Sequence, residues 1–301
     1  MHTLDCRRPA VATLVLASLC SPPALAGKLL LTGGVSSLDG AAGGGLTPWA
    51  VTGSLASEGQ WGGTAHTTTV RTGDYALTSA GALLAWNDRL ELSIARQRLD
   101  TRDSLAPLGL AGLVLQQDIV GAKLRVAGDA VLDSDRWMPQ IALGLLVKRA
   151  DAGALAPTLF GPLGARRSGS EIYLSATKLW LASGVLGNLT LRASSANQNG
   201  LLGFGGAQGD GVQLKPEISL AWLLTPSLAL GAEWRAKPDN LRRSVLGDGA
   251  LAEQRWVDVF LVWAPIKPVS VTAAWVDLGR IVPGMQPRRQ TGGYLSLQLA
   301  F

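Results

Sequence analysis

The sequence predicts an all-β fold: a single antiparallel up-and-down transmembrane β-barrel, of about 12 strands with 10 or 14 as the alternatives, behind a Gly-rich N-terminal segment. Three observations carry this. Apolar and polar residues alternate along many short segments. The connections between those segments alternate between tight and long. Tryptophans gather beside the connections. A strand crossing lipid needs one apolar face, while its other face meets water or interior side chains, so the apolar residues must be dispersed at period two. Hydrophobic content is 47%, yet beyond the N-terminus no apolar run is long enough to cross as a helix, which takes roughly 20 residues.

The N-terminus reads as an export address. Arg7 and Arg8 precede a short apolar core from Ala10 to Cys20, Pro22-Pro23 break it, and Ala24-Leu25-Ala26 supply small residues for cleavage before Gly27. Residues 1–26 are therefore expected to be a signal peptide. Both cysteines, Cys6 and Cys20, fall inside it, so no disulfide or Cys-based metal site is expected beyond it. Residues 27–47 are dominated by glycine and small side chains. They form the Gly-rich segment, a candidate plug, and residues 48–301 are expected to form the barrel.

Twelve strands are expected at 48–57, 72–86, 89–100, 113–127, 136–149, 171–182, 188–197, 212–224, 227–237, 255–264, 268–278 and 290–301. Leu90, Leu92 and Ile94 oppose Glu91 and Ser93. Ile218, Leu220 and Trp222 oppose Glu217 and Ser219. Val257, Val259, Leu261 and Trp263 oppose Asp258. The connections Asn87-Asp88, 183–187, Thr225-Pro226 and 265–267 are tight. Those at 101–112, 150–170, 198–211, 238–254 and 279–289 are long, as external loops of such barrels are. An even strand number then brings both ends of the barrel to the tight-turn side.

Tryptophan placement follows the same map. Trp86, Trp180, Trp222 and Trp263 lie near tight turns, and Trp137 follows the intermediate connection 128–135. Trp234, Trp256 and Trp275 lie near long loops. Two interfacial girdles are expected. Trp49 would start the first strand, and Trp61 falls in a loop outside both belts. The final strand alternates Leu295, Leu297, Leu299 and Phe301 against Tyr294, Ser296 and Gln298. Tyr294, Leu297, Leu299 and the terminal Phe301 resemble the assembly signal of outer-membrane barrels.

Several motifs sit together: Gly27-Lys28-Leu29-Leu30-Leu31-Thr32-Gly33-Gly34-Val35, the run from Asp39 to Ala50, Gly121-Ala122-Lys123, Lys237-Pro238-Asp239-Asn240-Leu241, and the run from Thr272 to Gly279. In these the chain resembles the proteobacterial domain-of-unknown-function family 3034, over nearly all of the expected mature protein. The resemblance implies a single domain and a Gram-negative origin.

Catalytic chemistry finds little support. Outside the signal peptide the only histidine is His66, in an expected external loop, so the base needed by Ser-His or Asp-His chemistry has one candidate with no clear partner. No enzyme, metal site or cofactor is expected. The formal charge of +5 comes without a basic run, so nucleic acid is not an expected partner.

The polar face is more informative. Lys or Arg facing lipid at mid-membrane costs about 2–4 kcal/mol. Lys123, Arg125, Lys148, Arg192, Lys215, Glu217, Glu233 and Arg235 are therefore expected to line the interior. Three readings follow: a passive channel for small polar or anionic solutes, a closed structural or interaction barrel, and a plugged barrel for uptake of an apolar ligand. The expected surroundings are outer-membrane lipid and the barrel-assembly machinery of a Gram-negative cell.

Overall fold

The computed structural model describes residues 28, 30–131, 136–208 and 211–301. The expected signal peptide and its cleavage site lie outside the described residues. Twelve strands close into one barrel. They are β1 Trp61–Thr72, β2 Ala76–Trp86, β3 Leu90–Asp100, β4 Val114–Ala127, β5 Gln140–Asp151, β6 Ser168–Trp180, β7 Val185–Ser194, β8 Gln213–Thr225, β9 Leu228–Arg235, β10 Trp256–Ile266, β11 Val269–Asp277 and β12 Thr291–Ala300. Each pairs antiparallel with its sequence neighbour, and β12 returns to β1 in a register running from Gly292↔Thr72 to Ala300↔Thr64. Phe301 extends that seam by exchanging two backbone hydrogen bonds with Gly63, at 2.9 and 3.0 Å.

Period-two burial produces the two faces. Along β3, Glu91, Ser93, Ala95 and Gln97 are buried while Leu92, Ile94 and Arg96 are exposed. Leu143, Leu145, Val147, Ile218, Leu220, Val259, Leu261, Leu295 and Leu297 continue the exposed apolar band around the wall. One end of the barrel carries the tight turns. There Asn87 and Asp88 both adopt positive φ, 56° and 49°, the backbone that matches a two-residue turn to the twist of its strands. Exposed Trp61, Trp86, Trp180, Trp222 and Trp263 stand near this turn end. The Trp61 and Trp86 rings are 6.0 Å apart. Toward the opposite, loop end the outer face turns charged, with Arg71, Arg98, Arg149 and the 2.6 Å pair Arg96–Asp118.

The wall departs from the sequence expectation in three places. It begins at Trp61, and residues 48–57 are not a strand of it. Trp49, Val51 and Ala50 mimic strand periodicity, but residues 35–54 are buried on every side because they run inside the barrel. Residues 58–71 are correspondingly not an external loop. Trp61–Thr72 forms β1, and a short turn at 73–75 joins it to β2. The segment has few apolar residues to announce it; β-branched threonine suits a strand, and Thr64, His66, Thr68, Val70 and Thr72 face inward. The last strand closes on this β1, not on a strand starting at Trp49. Finally, Trp256 is 3% exposed. It shares a face with Asp258, so it points into the lumen and joins no interfacial girdle.

Candidate functional site

The lumen holds the chain's own N-terminal segment. Lys28 lies at the turn end, 2.6 Å from Asp88. From there the chain climbs to Asp39, reverses, and descends to β1. Val35–Ser36 and Ala42–Gly43 pair as a minimal two-stranded ladder. The reversal depends on Gly40, whose φ is +89° and whose added Cβ would lie 2.9 Å from that of Ala95 on the wall. Only glycine meets both conditions.

The wall holds this segment with polar groups from most of its circumference. Glu91 on β3 accepts from the Ala42 amide at 3.0 Å and the Gly53 amide at 2.9 Å. Lys123 on β4 pairs with Glu91 at 3.0 Å and donates to the Ala42 and Val51 carbonyls. The Thr177 hydroxyl meets the Ala50 amide at 2.7 Å, and the Thr190 hydroxyl donates to the Pro48 carbonyl at 2.8 Å. Gln97 and Ser79 donate to the Leu38 carbonyl at 2.6 and 2.9 Å. Gln298 accepts from the Ser36 amide. Glu233 accepts from the Leu46 amide at 2.6 Å and from the Thr47 hydroxyl, with Ser219 beside them.

At the top of the reversal sits an ion cluster built from β5 to β9. Lys148 pairs with Asp39 at 3.1 Å and with Glu171 at 2.7 Å. Arg192 lies 2.6 Å from Glu217, 3.1 Å from Glu171 and 3.5 Å from Asp39. Arg235 lies 3.2 Å from Glu217 and 3.4 Å from Asp39. Glu217 and Arg235 are directly opposed in register, as are Lys148 and Gly169 two positions from Glu171; the strand pairing thus presets the cluster. Arg192 also stacks over the Tyr173 ring, 5.4 Å to its centroid. Asp39 lies on the inner segment, off the spanning strands. Burial acts to raise its pKa, but Lys148, Arg235 and Arg192, aided by the Asn199 amide, outweigh burial and hold it below the usual carboxylate range.

The loop end is closed from above. Residues 195–206, which follow β7, fold inward and present Asn199, whose amide donates to Asp39 at 2.7 Å while its side-chain oxygen accepts from Lys148 and Arg235. Gln198 and Asn199 hold positive φ to do so. Gln198 bonds to Lys237, to the Ile281 carbonyl and, through its amide, to Glu253, tying three connections together. Lys237 and Glu253 pair at 2.6 Å; burial nonetheless lowers the pKa of Lys237 and raises that of Glu253. Leu202, Leu241 and Ile281 from these connections cluster with Leu159 and Leu163 of residues 152–167, between β5 and β6, and seal the lid. Trp256 packs under it, with Lys237 and Arg235 over its ring at 4.8 and 5.5 Å.

Thus Lys123, Lys148, Arg192, Glu217, Glu233 and Arg235 face the lumen and touch the inner segment or its cluster. Two other candidate lining residues stand apart. Arg125 is at the turn end, bound to Asp88 at 2.7 Å beside a cleft of about 580 Å³. Lys215 is half-buried and, among the described residues, makes no ion pair in the cluster. His66 is buried on β1, not in a loop. Sequence reasoning missed Asp39, Glu171 and Asn199. The first opens a motif already singled out; the others carried no separate signal.

No curated protein matches the chain. Among solved structures, the NanC porin superposes with a TM-score of 0.50 at 8% identity, covering 79% of this chain and 100% of the porin. The KdgM porin gives 0.49 at 10% identity, over 79% and 99% of the two chains. The COG4313 outer membrane channel from Pseudomonas putida F1 gives 0.44 at 15% identity, over 81% and 96%. The NanC likeness places the fold among outer-membrane barrels. The family model described as "Protein of unknown function (DUF3034)" matches residues 32–298, and the chain belongs to that family.

Proposed function

We propose that this protein is a gated transport barrel of the Gram-negative outer membrane, closed by its own N-terminal segment and by the loop-end lid that the segment holds through Asp39 and Asn199, passing small polar or anionic solutes when segment and lid part. One observation carries the reading: between an apolar footing of Val35, Trp49 and Val51 against Leu179, Phe260 and Val262 and the apolar lid, the segment meets the wall through buried charged and hydrogen-bonding groups. A barrel built only to be filled gains most from apolar packing, because burying charges costs several kcal/mol per ion before any pairing repays it. A lumen lined by Lys123, Lys148, Arg192, Glu217, Glu233 and Arg235 suits water as well as it suits the segment. The same level argues against an apolar ligand, which would have to cross the ion cluster. In this reading the turn end faces the periplasm, Trp86, Trp137, Trp180, Trp222 and Trp263 lie at that interface, and Trp234 and Trp275 lie at the outer one. Tyr294, Leu297, Leu299 and Phe301 form the strand offered to the assembly machinery.

The test is conductance in planar bilayers. The wild type is expected to be closed most of the time. Asp39→Asn removes the charge that holds the segment to three cations and is expected to raise open probability at least about tenfold, the equivalent of about 1.4 kcal/mol. A folded Asp39→Asn barrel as silent as the wild type would count for the closed structural barrel instead.

A further inference from the structure

We infer that Lys148, Arg192, Arg235 and Asn199 form a carboxylate-binding site that Asp39 occupies in the closed state, and that the external ligand of this site is a monoanionic carboxylate. The inference rests on the gated reading and names the ligand class of the same lumen.

The geometry is that of a built site. Donors come from four strands and one loop, and both carboxylate oxygens of Asp39 are engaged. Oδ1 receives Lys148 at 3.1 Å, the Asn199 amide at 2.7 Å and the Gln97 amide at 3.4 Å; Oδ2 receives Arg192 at 3.5 Å and Arg235 at 3.4 Å. All these side chains are buried, where charge-assisted hydrogen bonds are strongest.

The three carboxylates of the cluster differ in where they are mounted. Glu171 and Glu217 belong to the wall and pair with its cations at 2.6–3.2 Å. Asp39 belongs to the segment and meets Lys148 at 3.1 Å and the arginines at 3.4–3.5 Å. When the segment leaves, the wall carboxylates keep the cations in place, so the site is preorganised and costs little to refill.

Charge selects the ligand. Three cations face Asp39, Glu171 and Glu217, so the occupied cluster is neutral. Without Asp39 it carries one uncompensated positive charge. A monoanion restores neutrality; a neutral solute leaves a buried charge unpaired, and a dianion introduces one of the opposite sign. Two oxygens at carboxylate spacing satisfy the donors on both sides, which a spherical anion such as chloride does not. Asn199 covers the site from the loop end, at the tip of a turn with φ values of 44°, 60° and 102° at Gln198, Asn199 and Gly200. A ligand arriving from that side meets its amide first.

Acetate is the probe, with chloride at matched ionic strength as the control. Two measurements are made on the refolded full barrel. In Asp39→Ala, which vacates the site, acetate is expected to raise the thermal unfolding midpoint, with an apparent affinity at least about tenfold above that of chloride. Adding Arg235→Gln to that variant is expected to abolish the difference. In the wild type, acetate competes with Asp39 and is expected to raise open probability where chloride does not; this arm needs no variant to fold. Acetate acting no better than chloride in both measurements overturns the carboxylate site. A stabilising effect of acetate in an Asp39→Ala barrel that does not conduct upholds the site and defeats the gate.

Discussion

Two carboxylates on the lumen wall, Glu217 on β8 and Asp258 on β10, have opposite surroundings. Glu217 lies between Arg192 and Arg235, at 2.6 and 3.2 Å. Asp258 stands opposite Glu233 in strand register, and among the described residues neither pairs with a Lys or Arg. Both sites are buried, and both touch the inner segment. The cluster around Glu217 grips the segment through charge, by way of Asp39. The level of Glu233 grips it through neutral donors, the Leu46 amide and the Thr47 hydroxyl. Gly45 sits over this second level, its added Cβ 3.4 Å from Asp258 and 3.3 Å from the Tyr294 hydroxyl. The comparison separates two tasks. In the proposed gate the neutral grip positions the segment, while the ionic grip, which can be satisfied by other charges, makes it displaceable.

The largest effect should come from breaking the balanced side. Arg235→Met leaves Asp39 and Glu217 short of a cation in a buried site, and is expected to cost about 3–5 kcal/mol of stability, read as a lower urea midpoint of the folded barrel. A loss within the range of surface substitutions, about 0.5 kcal/mol, would mean that the cluster does not hold the segment.

A smaller effect of opposite sign is expected on the other side. Asp258→Asn replaces one of two adjacent carboxylates with an amide able to donate to Glu233. It should stabilise the barrel by about 1 kcal/mol, because an amide donates to Glu233 without the cost of holding a proton between two buried carboxylates. Destabilisation would show that the carboxyl of Asp258 is itself the better donor to Glu233.

The comparison also explains what the sequence could and could not reveal. Alternation on β3, β8 and β10 was legible because each of those strands has one apolar face in lipid contact and one polar face within. That phase assigns Glu91 and Glu217 to the interior, and the same alternation on β4, β5, β7 and β9 assigns Lys123, Lys148, Arg192, Glu233 and Arg235 there. The same phase places Trp256 beside Asp258, yet its position near a long loop suggested the outer belt; local register is the stronger guide. β1 was not legible because threonine and glycine supply its wall positions, and residues 48–57 were mistaken for it because a segment buried on all sides also shows apolar residues at period two. Asp39 was hidden for a different reason. Its meaning lies in three cations from β5, β7 and β9, between 109 and 196 residues away, and no local pattern encodes such a meeting.

The central claim is that release of the inner segment, and with it of the lid bound to Asp39 through Asn199, opens the lumen, and a reversible tether tests it most directly. The Thr47 and Ser219 hydroxyl oxygens are 2.5 Å apart, a side-chain approach compatible with a disulfide between cysteines at the two positions. The native cysteines, Cys6 and Cys20, lie far from both in sequence. In a barrel carrying Asp39→Asn, Thr47→Cys and Ser219→Cys, the account predicts silence when oxidised and conductance once reductant is added to the same bilayer. Equal conductance in the oxidised and reduced states would contradict it.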